Sequence, residues 1–267
     1  MQRLKDYRKY LRIWLSFSHA SFQEAILLNP FSALFFLLGK SVRFFSFFFF
    51  LYVLIGQSKN FLGYTQNEVI LFYLVYNLVD ISAQAFFRGV YWFRGTILSG
   101  YFDHFLLKPI HPLFNVLTRY TDFLDVFTLI PLLIYFFYFL AVNNMLSFFS
   151  LFLFFLAFAC GMTIAFSFHV LSMAVGVITT EVDSIIWMYR NLIGMGRVPV
   201  DAYVAPIRFI LTYLVPVAVM TTIPAKLLAG LDSPLLLLIS LSVAGAFLAI
   251  SLSCWRWALT KYSSASS

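Results

Sequence analysis

The sequence is poor in charged residues, which excludes most soluble proteins. Only 11% of its 267 residues are Asp, Glu, Lys or Arg, whereas a soluble domain contains roughly 25%. No stretch is polar enough for a soluble catalytic domain, which takes about 100–150 residues. Any energy source must therefore be a gradient or another polypeptide.

Residues that carry catalytic or metal chemistry are also scarce. The two cysteines, Cys160 and Cys254, lie in apolar stretches and indicate neither a disulfide framework nor a metal pair. The four histidines lack metal-ligand spacing. We find no nucleophile elbow, HExxH or paired-carboxylate pattern, so the sequence predicts neither an enzyme nor a bound cofactor.

One segment resembles the end of a phosphate-binding loop. Gly39-Lys40-Ser41 matches its last three residues, but the motif needs a glycine five positions before Gly39, where this chain has Leu34. The segment also lies inside an apolar run. We therefore expect no ATP site in this chain.

Apolar residues dominate the chain. It is 62% hydrophobic and contains 34 Phe, and a membrane span needs about 20 mostly apolar residues. This composition predicts an all-α integral membrane protein whose residues 1–267 form a single domain, with a disordered tail at 263–267. We expect six spans, near residues 31–56, 67–87, 113–140, 148–177, 183–196 with its continuation, and 234–257.

Basic residues predict the orientation. Residues 1–30 have the pattern of a basic amphipathic helix lying in the headgroup layer, with Lys5, Arg8, Lys9 and Arg12 on one face. The loop at 141–147 has no Lys or Arg, so the amino terminus is expected in the cytoplasm. Six crossings return the carboxy terminus to the same side. The net charge of +7 then indicates lipid headgroups as partners and no nucleic acid.

The region 197–233 does not fit a straight span. Four prolines would break a helix there, because each removes a backbone donor: Pro199, Pro206, Pro216 and Pro224. We expect a re-entrant pair of short helices that dips from the outer face. An extra crossing is the alternative, and it would leave the carboxy terminus outside.

Charged residues inside the spans are few. Lys40 and Arg43 either reach the headgroups, if residues 31–39 stay in the interface, or face a cavity with Asp80 as counter-ion. Arg119 and Asp122 are expected to pair locally at the start of the third span. The Phe-rich stretch 45–50 is typical of lipid contact or helix packing, although aromatics could also line a path for a lipophilic substrate.

The segment 88–112 is the longest predicted cytoplasmic connection between two spans. Its apolar residues fall on one helical face, which predicts a short amphipathic helix: Leu98, Phe102, Phe105 and Leu106. Such a helix suits docking into a partner's groove or resting on the membrane. After the fourth span, Glu181 and Asp183 either contact a cytoplasmic partner or mark the membrane boundary.

Two segments resemble a known family. The run Gly100-Tyr-Phe-Asp103, followed by Leu106-Leu-Lys108-Pro109-Ile-His-Pro112, is similar to the first cytoplasmic loop of ABC-2-type permeases, above all the viologen-exporter-like subgroup. Arg197-Val-Pro199, Val215-Pro216-Val-Ala218 and Pro224-Ala225 resemble the outer re-entrant region of that subgroup. The departure is Val198, where an aromatic residue is expected before the proline.

The resemblance implies the membrane subunit of an ABC exporter in the bacterial inner membrane. It implies a second permease, identical or related, and ABC ATPase subunits that bind ATP and Mg. The helix around Arg94–Lys108 becomes the coupling helix, and the residues assigned to ATPase coupling are Arg94, Gly95, Gly100, Asp103, Lys108, Pro109, Glu181 and Asp183. The alternative is a gradient-driven secondary transporter or channel that uses Lys40, Arg43 and Asp80.

Overall fold

The computed structural model describes residues 2–58 and 61–263, which form helices joined by short turns. The predicted disordered tail lies outside the described residues except for Ser263. The α-helices are α1 Gln2–Phe22, α2 Pro30–Ser58, α3 Gln66–Phe87, α4 Phe93–Leu98, α5 Tyr101–Leu107, α6 Pro112–Thr118, α7 Phe123–Val142, α8 Phe148–Thr179, α9 Val182–Gly194, α10 Ala205–Phe209, α11 Ile223–Ala229 and α12 Leu236–Lys261. Short 3-10 turns cover Arg88–Trp92, Met195–Arg197 and Val200–Ala202, and π-helical turns cover Gln23–Leu27, Ile210–Leu214 and Ala218–Thr222.

Within the described residues, five helical segments are long and apolar enough to cross a membrane. They are Pro30–Gln57, Gln66–Leu98, Phe123–Val142, Phe148–Thr179 and Leu236–Lys261. A bent pair, Ala205–Leu214 and Ala218–Ala229, meets at 77° and would make a sixth if it forms one broken span. The chain is therefore an all-helical protein with five to six candidate spans.

The predicted third span, 113–140, is wrong at its start. The chain breaks after α6, and α7 begins only at Phe123. Asp122 is the N-cap of α7, because its side chain accepts hydrogen bonds from the backbone N–H groups of Leu124 and Asp125 at 3.1 and 3.3 Å.

The described bundle has two ends, which we name by residues found there. At the α5 end, α3 leads into α4–α6, and both the α8–α9 turn and the end of α12 lie there. At the Tyr64 end lie the beginning of α3 and the α7–α8 and α11–α12 connections. The amino-terminal α1 also lies at the α5 end, because Ser18 shares a 3.1 Å hydrogen bond with Thr121, beside the start of α7.

The predicted fifth span, 183–196, is a short helix with a non-helical continuation. Thirteen helical residues of α9 extend about 20 Å, less than the roughly 30 Å of a bilayer core. Yet Asp183 contacts Arg94 at the α5 end, and Asp201 contacts Tyr64 at the other end. The segment from Asp183 to Asp201 therefore runs the length of α3, completing the distance through its 3-10 turns.

Helix α3 is central, and α2 is peripheral. Residues Val69–Asp80 of α3 are all buried, and α3 packs against α7 and α8. Helix α8 in turn packs against α11 and α12. Helix α2 contacts α3 and α7 along one face and exposes much of the remainder, including Phe31, Phe35 and Phe49.

Candidate functional site

The turn that follows α3 is fixed by a close backbone contact. A Cβ atom on Gly89 would lie 2.2 Å from the carbonyl oxygen of Val116 and 3.0 Å from that of Leu117. Only glycine allows this approach, which presses the turn against α6. The end of α3 is thereby held against α6, immediately before α4.

The predicted helix around Arg94–Lys108 is divided into two helices at Gly100. This glycine has φ +71° and separates α4 from α5. Its N–H donates to the carbonyl of Ile97 at 3.0 Å, and the Ser99 N–H donates to Gly95 at 3.0 Å. Glycine adopts this left-handed conformation without the steric cost that a Cβ atom brings. The segment therefore consists of two short helices, α4 and α5, joined by a turn, and we call it the α4–α5 hairpin.

The predicted apolar face of this segment is correct for only two of its four residues. Phe102 and Phe105 are fully buried, and the Phe102 ring contacts those of Phe93 and Trp255. Leu98 and Leu106 are exposed; the break at Gly100 takes α5 off the helical register of α4, so Leu98 does not share the buried face of α5. The hairpin thus anchors its phenylalanines in its own bundle.

Two polar contacts tie the hairpin to other helices. An Arg94 guanidinium nitrogen lies 3.2 Å from a carboxylate oxygen of Asp183, which joins α4 to α9. The Tyr262 hydroxyl donates to the Asp103 carboxylate at 2.8 Å, which joins the residue after α12 to α5. Burial and this hydrogen bond raise the pKa of Tyr262 to about 12. The hairpin therefore contacts the beginning of α9 and the residue that follows α12.

The other residues assigned to ATPase coupling lie in or near this hairpin, but they do not come together in one site. Gly95 and Lys108 are exposed, and the Pro109 carbonyl accepts a 2.9 Å hydrogen bond from Lys9 of α1. Glu181 is exposed and accepts from the Ser184 hydroxyl at 3.0 Å. The outer face of the hairpin also exposes apolar side chains: Leu98, Tyr101 and Leu107.

Arg119 does not pair with Asp122 as the sequence suggested. Its guanidinium carbon lies 5.4 and 5.2 Å from the ring centroids of Tyr101 and Phe105 on α5. Asp122 instead pairs with Arg88 at 3.4 Å. Since the chain breaks between α6 and α7, the helical i,i+3 geometry on which local pairing depends is absent.

The residues of region 197–233 form a polar network at the Tyr64 end. The Asp201 carboxylate accepts from the Tyr64 hydroxyl at 2.7 Å and pairs with the Lys226 ammonium at 2.8 Å. Burial alone would raise the pKa of Asp201, but the Lys226 ammonium and the Tyr64 hydroxyl bring it below its ordinary value. Asp201 precedes the bent pair and Lys226 lies in its second arm, so the pair starts and returns at the same end.

The prolines of this region occupy its turns. Pro199 and Pro216 are buried in the breaks before Val200–Ala202 and Ala218–Thr222, and Pro224 lies in the first turn of α11. Gly196 packs against the second arm, because a Cβ there would lie 2.7 Å from the Thr221 hydroxyl. Val198, where the family resemblance predicts an aromatic residue, is half-buried and packs against the residues of the main core.

A cavity of about 750 Å³ opens between α2, α3 and α7. The three charged residues that the sequence singled out in the first two spans line it, namely Lys40, Arg43 and Asp80, and Arg197 joins them. Lys40 forms its ion pair with Asp125 of α7 and not with Asp80. Asp80 instead accepts a 2.9 Å hydrogen bond from Gln84. The structure thus places these charges on a cavity.

Sequence reasoning missed several members of these sites. Asp125, Tyr262 and Lys226 have partners far away in the sequence, so no local pattern could reveal them. A signal did exist for the cavity, since Lys40, Arg43 and Phe47 recur at helical spacing on one face of α2. No group of three His, Cys, Asp or Glu side chains suited to a metal ion occurs among the described residues.

Comparison with known proteins identifies the family. The sequence model described as ABC-2 family transporter protein matches residues 25–266, which is nearly the whole chain. Searches of curated proteins and of solved structures found no match. Together with its apolar helices, the match establishes a multi-pass membrane protein. The chain belongs to the ABC-2 family of transporters, as a membrane component of the permease type.

Proposed function

We propose that this chain is the permease subunit of an ATP-driven exporter, of the viologen-exporter-like subgroup. In this proposal separate ATPase subunits bind ATP and Mg, this chain has no ATPase site, and a second permease completes the translocation path. Family membership implies ABC ATPase partners in general. The observation that carries the proposal is the α4–α5 hairpin, of which one face packs into the bundle and the other face is exposed.

The hairpin is suited to transmit force as a coupling helix. Its exposed face offers Leu98, Tyr101 and Leu107, and an amphipathic helix of this kind fits a groove in a partner. Its buried face is fastened by Phe102 and Phe105, and its polar contacts lead to α9 and α12. Displacement of the hairpin by an ATPase would therefore move several spans together.

The α5 end is proposed to be cytoplasmic and the Tyr64 end external, in a bacterial inner membrane. Basic residues collect at the α5 end, on α1 and near the ends of α5 and α12, as the positive-inside rule requires of cytoplasmic segments. Both termini then lie in the cytoplasm. Helix α1 would lie in the headgroup layer, because Leu11 and Leu15 are exposed while Ser18 and Ser21 face the bundle.

The bent pair is proposed to be re-entrant from the outer face. Its two arms meet at 77°, and the Asp201–Lys226 ion pair holds its start near its return. Broken helices at membrane depth are tolerated where protein surrounds them. Residues Val217–Ala225, at the bend and along the second arm, are all buried, which satisfies that condition there, while the first arm exposes Phe209, Tyr213 and Leu214.

A pull-down of the ATPase tests the coupling role. Leu107 has 83% of its surface exposed on α5, and Leu146 has 51% exposed at the opposite end. We expect Leu107→Asp to abolish co-purification with the ATPase and ATP-dependent export, and Leu146→Asp to preserve both. Neither change touches the core, so both variants should keep the wild-type melting temperature. Retention of ATPase binding and export by Leu107→Asp would refute the docking role.

Charge reversal tests transmission from α4 to α9. Arg94→Asp should weaken the coupling of ATP hydrolysis to export, because it places two carboxylates side by side. The exchange variant Arg94→Asp with Asp183→Arg restores the attraction and should recover coupling. Failure of the exchange to recover it would show that the Arg94–Asp183 pair does not transmit force.

The gradient-driven transporter remains a distinct alternative, which ABC-2 membership disfavours. Liposomes containing the purified chain alone separate the two functions. The exporter proposal expects neither ATP hydrolysis nor gradient-driven transport there. Substrate movement driven by an imposed proton gradient would overturn it.

A further inference from the structure

Two kinds of side chain line the cavity between α2, α3 and α7. Some are aromatic or apolar, such as Phe44, Phe47 and Tyr135 together with Leu132. Others are polar and include Asn77, Asp80 and Gln84 of α3. At about 750 Å³, its volume lies in the range of small-molecule binding sites. A site with this division suits an amphipathic ligand.

The charges on the cavity do not balance. Lys40 is paired with Asp125, and Asp80 is the remaining carboxylate among the lining residues. Arg43 and Arg197 also line the cavity, and among the described residues no carboxylate lies within ion-pair distance of either. The lining therefore has an excess of positive charge.

Arg197 is held toward the cavity by aromatic contacts. Its guanidinium carbon lies 5.4 Å from the centroid of Phe47 and 5.7 Å from that of Tyr76. Its Nε donates to the Tyr76 hydroxyl at 3.4 Å. These contacts position the guanidinium without neutralising it. Cations at membrane depth are costly unless an anion or water meets them.

We propose that this cavity binds an amphiphile with one anionic group, whose apolar part lies against the α2 phenylalanines and whose anion meets Arg43 and Arg197. The shared chemistry is a phosphate, sulfonate or carboxylate on an alkyl or aryl body. Such a ligand is either an anionic lipid or a smaller organic anion. The proposal concerns a ligand site within the permease proposed above, and the binding it requires needs neither ATP nor an ATPase subunit.

Photolabelling of the purified chain in phosphatidylcholine nanodiscs tests the proposal. The probe is an alkyl phosphate with a diazirine in its chain, and mass spectrometry maps the labelled peptides. We expect labels on α2, α3 and α7, displaced by decyl phosphate and not by decanol or decyltrimethylammonium, which have the same alkyl chain. Displacement by decyltrimethylammonium as strong as that by decyl phosphate would overturn the proposal.

Variants separate a charge effect from misfolding. Arg43→Gln with Arg197→Gln should weaken decyl phosphate competition by roughly tenfold or more, since each removed cation is a charged hydrogen-bond donor. Arg256→Gln, an exposed arginine on α12 outside the cavity, should change nothing. Asp80→Asn removes a repelling carboxylate and should strengthen competition by about threefold. A gain cannot arise from unfolding, so unchanged affinity in both cavity variants would refute the site.

Two further competitors identify the source of the ligand. A short-chain phosphatidylglycerol represents lipids, and naphthyl phosphate represents soluble aromatic anions. Displacement by the lipid alone assigns the site to a lipid headgroup, and displacement by naphthyl phosphate assigns it to a smaller anion. If neither competitor displaces the probe, the anion-binding proposal is wrong. Failure here would leave ATPase docking at Leu107 unaffected, so the two proposals fail separately.

Discussion

Helices α2 and α3 follow one another in the chain and are almost equally apolar, yet they occupy opposite environments. In the most apolar 18-residue stretch of each helix, 6% of the residues are buried in α2 and 89% in α3. Lipid tails are as apolar as a protein core, so hydropathy does not distinguish a packed face from a lipid-facing one. Buried polar residues do distinguish the two environments, because α3 buries Asn77, Asp80 and Gln84, which lipid would not tolerate.

The difference indicates separate roles in the bundle. Helix α3 is surrounded by packed neighbours and connects the two ends as a fixed support. Helix α2 is attached at a few points, among them the Lys40–Asp125 pair and the hydrogen bond from the Tyr73 hydroxyl to the Phe44 carbonyl at 3.1 Å. The cavity lies between the two. Helix α2 therefore packs against fewer neighbours beside this cavity than α3 does.

The largest effect should come from the ion pair that holds α2 to α7. Asp125→Ala leaves the Lys40 ammonium without its carboxylate at a site where Asp125 is fully buried. Breaking such a pair costs about 3–5 kcal/mol. We expect a large fall in the melting temperature of the purified protein. Lys40→Met with Asp125→Leu should recover most of it, because it removes both charges together.

A matched control sharpens this test. Asp232 pairs with Lys226 at 3.5 Å and has 37% of its side chain exposed. Asp232→Ala should lower the melting temperature only slightly, because solvent screens exposed pairs. An equally small effect of Asp125→Ala would show that the Lys40–Asp125 pair does not hold α2 in place.

Core truncation compares α2 and α3 directly. Leu74 on α3 has no exposed surface, and Phe49 on α2 is 66% exposed. Leu74→Ala should destabilise by about 2–3 kcal/mol through the cavity it leaves, as core leucines do. Phe49→Ala should change stability by less than about 0.5 kcal/mol despite removing more atoms. Chemical denaturation in mixed micelles measures both, and similar losses would contradict the contrast.

The sequence predicts the long helices well and the breaks poorly. Four of its six predicted spans correspond to α2, α3, α8 and α12 within a few residues, because long apolar runs have few alternatives. The break before α7 and the hairpin turn at Gly100 depend on an N-cap and on one left-handed residue. A continuous apolar pattern does not show either. Phe102 of α5 points inward because its ring packs against that of the distant Trp255.

The candidate sites, like the helices, could be predicted from the sequence only in part. The sequence places Lys40, Arg43 and Asp80 in neighbouring spans, and the structure brings them to one cavity. It could not supply Asp125 as the partner of Lys40, because that pairing depends on how α7 packs beside α2. Nor could it predict Arg197 at the same cavity, since α9 ends in a turn whose direction is set by Gly196 against Thr221.

Two glycines offer the same substitution in the two environments. Gly89 follows α3 and has the Val116 carbonyl oxygen 2.2 Å from a would-be Cβ, whereas Gly39 on α2 has nothing within 4 Å. Gly89→Ala should cost about 1–3 kcal/mol, because backbone must shift to admit the methyl group. Gly39→Ala should be neutral or stabilise by up to about 1 kcal/mol through helix propensity. Changes of opposite sign in the melting temperature would support the contrast, and equal changes would contradict it.

The smallest effect concerns the loop that joins the two helices. Tyr64 in that loop donates to Asp201, whose carboxylate also pairs with Lys226. Because the folded-state pKa of Asp201 lies below its ordinary value of 3.8, its ionised form stabilises the fold above that pH. This stabilisation is lost as the pH falls through the lower folded-state pKa. Asp201→Asn should therefore cost less than about 1 kcal/mol at neutral pH, as partly exposed pairs do.

Melting temperatures recorded from pH 7 down to pH 3 test that sign. The difference between wild type and Asp201→Asn should narrow as the pH falls, because acid neutralises the carboxylate that the variant lacks. Arg256→Gln, an exposed change at the α5 end, should show no such narrowing. A difference that stays constant with pH would mean that Tyr64 and Lys226 hold this loop without the Asp201 charge.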